Sequence, residues 1–346
     1  MSRHTPALST EQADLAAMLS ALVADAEERP RDEQPDDAVA IRRRLAELGV
    51  WTLGAATDGD QVSDELTALA FAGVARGWPA LAWASVQAHA AVDVLGDSVL
   101  SSAIQAGENT VAVVDDTSAA VRLTTTDGRV SGRIDRIDPA GERPHVVVLG
   151  HGTAQVFPPD ALRFEQVRRT GLDGALTCSV ELAQPVAEAD VVIDGVDTDA
   201  ARIRLRLGAA AVAAGIADAA AEAALKYSRE REQFGAPLTA LPSVRDTLLS
   251  TSGSAARVLR QVLRARDCTV WQAAEVLDSA CEQAIDACTR AVQAHGGYGY
   301  LTEYHVGSML RDAVSLRASC DVWNLRCAAA TDYALGSVAG SGKGSS

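Results

Sequence analysis

Aromatic residues make up only 4% of the 346 residues, so rings can fill little of the core. Abundant alanine, with leucine, glutamate and arginine, favours packed helices instead. Cysteine is sparse and unpaired in sequence: Cys178, Cys268, Cys281, Cys288, Cys320 and Cys327 form no CxxC motif. Their spacing suits neither a metal site nor a disulfide scaffold, and it predicts small buried thiols in a reducing compartment. Basic charge is in deficit, with 31 Lys and Arg against 46 Asp and Glu and a net charge of −15. Nucleic acid, which demands a basic face, is therefore not an expected partner. No run of about 18 apolar residues stands ready to span a membrane. The opening Met-Ser-Arg-His-Thr turns acidic and helical without an apolar targeting segment. These absences predict a cytoplasmic protein without a membrane partner.

What is present is 48% hydrophobic, too apolar for a disordered chain, and long enough for two or three domains. Residues 9–28 read as a helix with Ser9 or Thr10 as N-cap and Leu15, Met18, Leu19 and Leu22 on one face. A charged linker follows at 29–37. Further helices are expected at 37–48, ended by Gly49, at 62–76, and at 79–95, the last apolar enough to be buried. The texture then changes to β-branched, alternating stretches, with Asp127-Gly128 as a hairpin turn. From Thr198 helical periodicity returns, predicting long helices at 198–232, 241–266, 269–295 and 309–335. The expected order is an N-terminal helical domain (1–110), a small middle β domain (111–196), a C-terminal four-helix bundle (197–336) and a flexible tail (337–346).

Two stretches of the last region carry chemistry. In YSREREQFGAPL (227–238) Arg229 and Arg231 precede an aromatic–glycine break, and Pro237 forbids continued helix. In AVQAHGGYGYLTEYHVGSMLRDA (291–313) Gln293 precedes Gly296-Gly297, whose backbone admits close approach of a ligand. Arg311-Asp312 is expected to open the last helix.

Together these stretches resemble the acyl-CoA dehydrogenase family. Tyr227, Arg231, Gln233, Phe234, Gly235, Pro237 and Leu238 match one family motif. Gln293, Gly296, Gly297, Gly299, Tyr300, Arg311, Asp312 and Ala313 match a second. The resemblance implies the family's fold: helical domain, small β domain, four-helix bundle. It also implies FAD, an acyl-CoA substrate, an electron-transfer acceptor and an oligomer built on the bundle. In that family the two motifs reach the pyrophosphate and adenosine half of a FAD held by the neighbouring subunit. Arg231, Gln233, Phe234, Gln293, Gly296 and Gly297 are then the cofactor-binding candidates. Guanidinium forks suit phosphate oxygens. The alternative for Arg231 is a helix-end cation favoured by the macrodipole. Arg229 reads as a solvated charge.

The family's proton-abstracting glutamate is missing. One branch places it eight residues after the Asp of Arg-Asp-Ala, which here is Cys320, followed by Asp321 and Val322. Another places it about 22 residues before the motif tyrosine, which here is Leu205. Neither is a carboxylate. The Phe-Gln after Pro-Leu is replaced by Leu241-Pro242, and the middle region lacks the Thr-Glu-Pro…Gly-Ser-Asp and Trp/Phe-Ile-Thr segments that hold flavin and acyl-CoA. Cys320 reads as an apolar helix residue on roughly the face of Cys327, with no neighbouring cation to activate it. His295 and His305 receive no role, and Glu303 reads as solvated. The resemblance is to a base-lacking subunit of a heteromeric acyl-CoA dehydrogenase, of the kind paired in actinobacterial steroid degradation, a heterotetramer sharing FAD with a homologous partner. Two alternatives stand beside it: a homo-oligomeric flavoenzyme with a relocated base at Asp321, and a flavin-free scaffold.

Overall fold

The computed structural model describes residues 8–27, 35–55, 63–265 and 267–335. The expected tail at 337–346 and most of the linker at 29–37 lie outside them. Helix α1 (Thr10–Glu27) starts at a reciprocal cap: the Gln12 amide donates to Ser9 Oγ at 3.2 Å and the Ser9 amide to Gln12 Oε1 at 3.0 Å. Four helices follow, α2 (Pro35–Glu47), α3 (Asp64–Ala75), α4 (Pro79–Leu95) and α5 (Val99–Gln105). As its composition predicts, α4 is buried almost along its whole length. The short α5 carries too little periodicity to show in the sequence.

The middle of the chain forms nine strands in two sheets. β1 (Val111–Asp115), β4 (His145–Leu149), β5 (Thr153–Phe157) and β9 (Val192–Asp194) lie in the order β1-β4-β5-β9, and only β1–β4 is parallel. The second sheet runs β2 (Val121–Thr126), β3 (Arg129–Ile137), β7 (Cys178–Leu182), β6 (Leu162–Gln166), with β8 (Val186–Ala187) beside β3. The β2–β3 hairpin closes on Thr126 opposite Arg129, so Asp127 (φ 51°) and Gly128 (φ 67°) form the predicted turn. β4 reads as an unbroken apolar run because both its faces are covered. Val147 and Leu149 join the helical core, while Val146 and Val148 join the core between the sheets. The first sheet is thus a layer between the helices and the second sheet.

α6 (Thr198–Glu230) is the central helix. Its length and hydropathy would allow it to cross a membrane, but 72% of its apolar window is buried inside the protein. Residues 209–214, five alanines and Val212, are all buried. At Gly215 a Cβ would stand 2.2 Å from Ala72 O, and at Gly208 2.5 Å from Val86, so glycine sets how closely α6 crosses α3 and α4. α7 (Pro242–Arg264) and α8 (Val270–His295) follow the expected bounds. The fourth stretch differs. It divides into α9 (Val306–Ser319) and α10 (Val322–Leu335), separated by Cys320 and Asp321, the latter at φ 51°. Arg311-Asp312 lies inside α9 rather than at its start. A left-handed Asp, which tolerates that conformation better than most residues, ends the helical hydrogen-bond ladder without any Gly or Pro to announce it.

Candidate active site

The two family motifs converge. At the end of α6 the Arg231 guanidinium carbon sits 5.1 Å above the ring of Tyr298, from the glycine turn after α8. Tyr227, one turn earlier, stacks on His295 with ring centres 4.2 Å apart, and Tyr304 meets both rings edge-on. His295 is buried, with Nδ1 2.8 Å from Ala291 O, and burial lowers its pKa, so the ring stacks as neutral imidazole. Arg231 has no acid partner among the described residues. After it the chain reverses in a two-residue hairpin, β10 (Glu232–Gln233) against β11 (Ala236–Pro237). Phe234 (φ 55°) and Gly235 (φ 79°) form its tip, and Phe234 is 92% exposed. A non-glycine residue of this bulk at positive φ is uncommon. Gln233, Gln293, Gly296 and Gly297 are also exposed, and a Cβ built at either glycine would meet nothing within 4 Å. Arg229 and Glu303 point to solvent as expected, and His305 is exposed.

The second family motif has another use. Arg311 Nε donates to Thr170 O at 2.7 Å, and Asp312 Oδ1 accepts from the Leu172 amide at 2.6 Å. Arg311-Asp312 therefore tethers α9 to the loop before β7. Nearby, the buried Asp138 carboxylate accepts from Arg169 and Thr177, and Arg169 reaches Ser315 O (2.7 Å) and Ser319 Oγ (3.0 Å) on α9.

Leu205 and Cys320, the two positions at which the family resemblance expects a base, line one cavity of about 200 Å³, between β1, α4, α6, α8 and the α9–α10 break. Cys320 and Leu205 contribute to its wall, with Asp321, Trp83, Trp271, Arg202 and Arg206. Burial holds the Cys320 thiol well above its ordinary pKa, so it is no thiolate. It caps α9, while the exposed Cys327 belongs to α10, so the two do not share one helical face. Asp321 accepts from Ser118 Oγ and from Asn324 Nδ2, both at 2.8 Å.

The sequence reading missed the charged centre of this cavity. Arg202 Nε lies 2.8 Å from Asp115 Oδ2, and its other nitrogens reach Asp199 Oδ1, Leu149 O and Gly150 O. Burial favours a neutral Asp115, but the guanidinium of Arg202 and the hydroxyl of Thr117 overcome it and hold the pKa below the ordinary carboxylate value. Asp116 is shifted the other way, by burial and by the charge of Asp115. Arg206 donates to Val270 O at 2.7 Å and stands 3.7 Å from Asp115. Arg202 and Arg206, four residues apart, share one face of α6. That spacing, with Asp115-Asp116 ending a predicted strand, was the available signal. Among the described residues no cluster of His, Cys, Asp and Glu could hold a metal ion.

Comparisons with known proteins bear on the fold and on the C-terminal helices. Residues 203–319 match the family model for the acyl-CoA dehydrogenase C-terminal domain. A probable acyl-CoA dehydrogenase of Bacillus subtilis is 40% identical over 118 residues, 31% of this chain and 30% of that protein. A caffeyl-CoA reductase–Etf complex subunit of Acetobacterium woodii is 33% identical over 123 residues, again 31% and 30%. The matched segment thus spans under a third of these relatives. Glutaryl-CoA dehydrogenase of Mycobacterium smegmatis superposes with a TM-score of 0.78 at 17% identity, covering 96% of each chain. Butyryl-CoA dehydrogenase of Megasphaera elsdenii gives 0.74 at 20%, covering 94% of this chain and 99% of that one. The chain has the acyl-CoA dehydrogenase fold, and its helical C-terminal region belongs to the acyl-CoA dehydrogenase family.

Proposed function

We propose that the chain is a base-lacking subunit of a FAD-dependent acyl-CoA dehydrogenase assembly, an oxidoreductase acting on a CH–CH bond of an acyl-CoA thioester. It contributes the pyrophosphate and adenosine half of a FAD site to a homologous partner chain, in a heterotetramer. The observation that carries this reading is the cavity. A carboxylate is the expected general base for this chemistry, and both family positions for it hold groups that cannot accept the proton, an aliphatic Leu205 and a protonated Cys320.

The chain's own cavity does not fit a flavin. At about 200 Å³ it lies below the roughly 300–1,000 Å³ of drug-sized ligand pockets, and the Arg202–Asp115 pair occupies its charged end. The outer face around Arg231 does fit the other half of FAD. An acid-free guanidinium lies beside two glycines with open space before them. Arg231 would hold phosphate oxygens, and Gly296-Gly297 would admit the nucleotide against the backbone. FAD supplies the hydride acceptor when bound. This chain's share is to position its phosphates and exclude water from one side. The relative named as part of a reductase–Etf complex supports an electron-transfer acceptor.

The assignment is tested by purifying the chain alone and with a co-expressed homologous partner. A colourless chain that becomes a yellow, active complex supports it. A chain that is yellow alone and dehydrogenates acyl-CoA, with turnover abolished by Asp321→Asn, establishes the relocated base instead. That second reading draws on the place of Asp321 in the cavity wall. Protein colourless in both preparations makes it a scaffold.

A further inference from the structure

We propose that Tyr298 is a positioning residue for Arg231: its ring holds the guanidinium by the face and leaves the N–H donors free for phosphate oxygens. The inference rests on the partner-flavin reading of the outer face and names the residue that sets the arginine in place.

Other arginines of the helical region are held by oxygens. Arg245 donates to Thr239 O and Ala240 O, Arg311 to Thr170 O, and Arg317 to Asp278 and Glu282. An oxygen acceptor fixes a guanidinium by taking the donors that a phosphate would use. The Arg231 side chain meets neither a carboxylate nor a carbonyl among the described residues. It meets the Tyr298 ring, 5.1 Å from the guanidinium carbon. A ring attracts a cation through its electron-rich face, so the group is held while its N–H donors stay available. A cation serving only the macrodipole would rest beside the last carbonyls of its own helix. Arg231 instead reaches a residue 67 positions further on, beyond the end of α8.

Tyr298 is itself braced. Gly299 after it is buried, and a Cβ there would stand 2.7 Å from Val292 O, so the turn presses directly on α8. The Tyr304 ring lies 5.6 Å from that of Tyr298 at 63°. Tyr304 in turn meets Tyr227 at 5.6 Å and 89°, and His295 at 5.7 Å and 67°. Such tilted and edge-on contacts favour one ring orientation over others. Tyr227 belongs to α6 and His295 to α8, so the brace ends on the two long helices. Arg231 is thereby fixed beside Gly297, where the space is open.

Magnetic resonance of the full chain with isotope-labelled arginine tests the placement without flavin or partner. The Arg231 Nε–H signal is the one lost in Arg231→Lys. Its order parameter should exceed that of the exposed Arg229. Tyr298→Leu should make the two alike, while Arg311, held by Thr170 O, stays restrained. Tyr298→Phe keeps the ring and the restraint. Tyr298→Trp, the better cation partner, should restrain Arg231 at least as well, so the test does not hang on a poorly folded Leu variant. In the complex, Tyr298→Leu should weaken FAD retention roughly threefold to tenfold. It should weaken it no further in an Arg231→Ala background, whereas a merely structural ring would. An Arg231 as mobile as Arg229 in the wild type, or a Tyr298→Leu loss that persists without Arg231, overturns the proposal. A colourless complex whose Arg231 is restrained, and is released by Tyr298→Leu, overturns the subunit reading and not the placement.

Discussion

Arg229 and Arg231 carry the same charge two residues apart, and their surroundings separate them. Arg229 is exposed on the last turn of α6, whereas Arg231 caps the helix and is placed on Tyr298. A pre-positioned guanidinium loses less side-chain freedom when it takes a phosphate. In the complex, Arg231→Ala should weaken FAD retention by about 1.5–3 kcal/mol, roughly tenfold to a hundredfold, while Arg229→Ala changes little. Flavin remaining after dilution and gel filtration measures both. Asp115 makes a second case. Removing it leaves Arg202 buried against three carbonyl or carboxylate oxygens that cannot replace its main partner, and Asp115→Ala should cost about 3–5 kcal/mol. The folded pKa of Asp115 is depressed, so its contribution is full above the ordinary carboxylate range and is lost as pH falls through the lower folded value. Denaturant unfolding should show a constant gap between wild type and Asp115→Ala near neutrality, closing only in strong acid.

At the scale of elements, the break between α9 and α10 decides the shape of the cavity. An uninterrupted helix over 309–335 would carry Asp321 away from Ser118 and leave the wall open. Instead the β region grips the end of α9 through Arg169, Arg136 and Ser118, and Asp321 absorbs the turn at φ 51°. Asn tolerates the left-handed region nearly as well as Asp, so Asp321→Asn should stay within about 1 kcal/mol of wild type in thermal unfolding, a small shift for a surface-linked polar exchange. Asp321→Val, β-branched at positive φ, should lose on the order of 1–3 kcal/mol. Equal melting temperatures for the two variants would show that the backbone there is unstrained.

For the whole molecule, the outer Arg231 face and the inner cavity are different places with different fits. The outer face is open at Gly296-Gly297 and presents the Arg231 guanidinium. The inner cavity is small and internally ion-paired. A complex in which this chain assists a partner's flavin but holds none itself should contain one FAD for every pair of unlike chains. Absorbance-based flavin counting against protein mass measures that ratio, and one flavin per chain would mean that this cavity opens to admit its own.

The sequence by itself determined the order of helices, strands and helices, because the switch from alternation at residues 111–194 to helical periodicity after Thr198 is a local property of side-chain spacing. It also determined the Asp127-Gly128 turn, a helix cap at Ser9 or Thr10, of which the structure uses Ser9, and the absence of a carboxylate at residues 320 and 205, since each depends on residues close in the chain or on identity alone. The break at Cys320-Asp321 was not legible. A helix and a helix–turn–helix with no Gly or Pro look alike until an outside partner, here Ser118 some 203 residues away, stabilises the turn. Nor could the sequence bring Arg202 to Asp115, Arg231 to Tyr298 or an orphaned Trp83 N–H to a cavity wall. The first two pairings join residues 87 and 67 positions apart and the third depends on a void, and only the packing of α6 against the sheet and against α8 decides which charges meet and which donor is left without a partner.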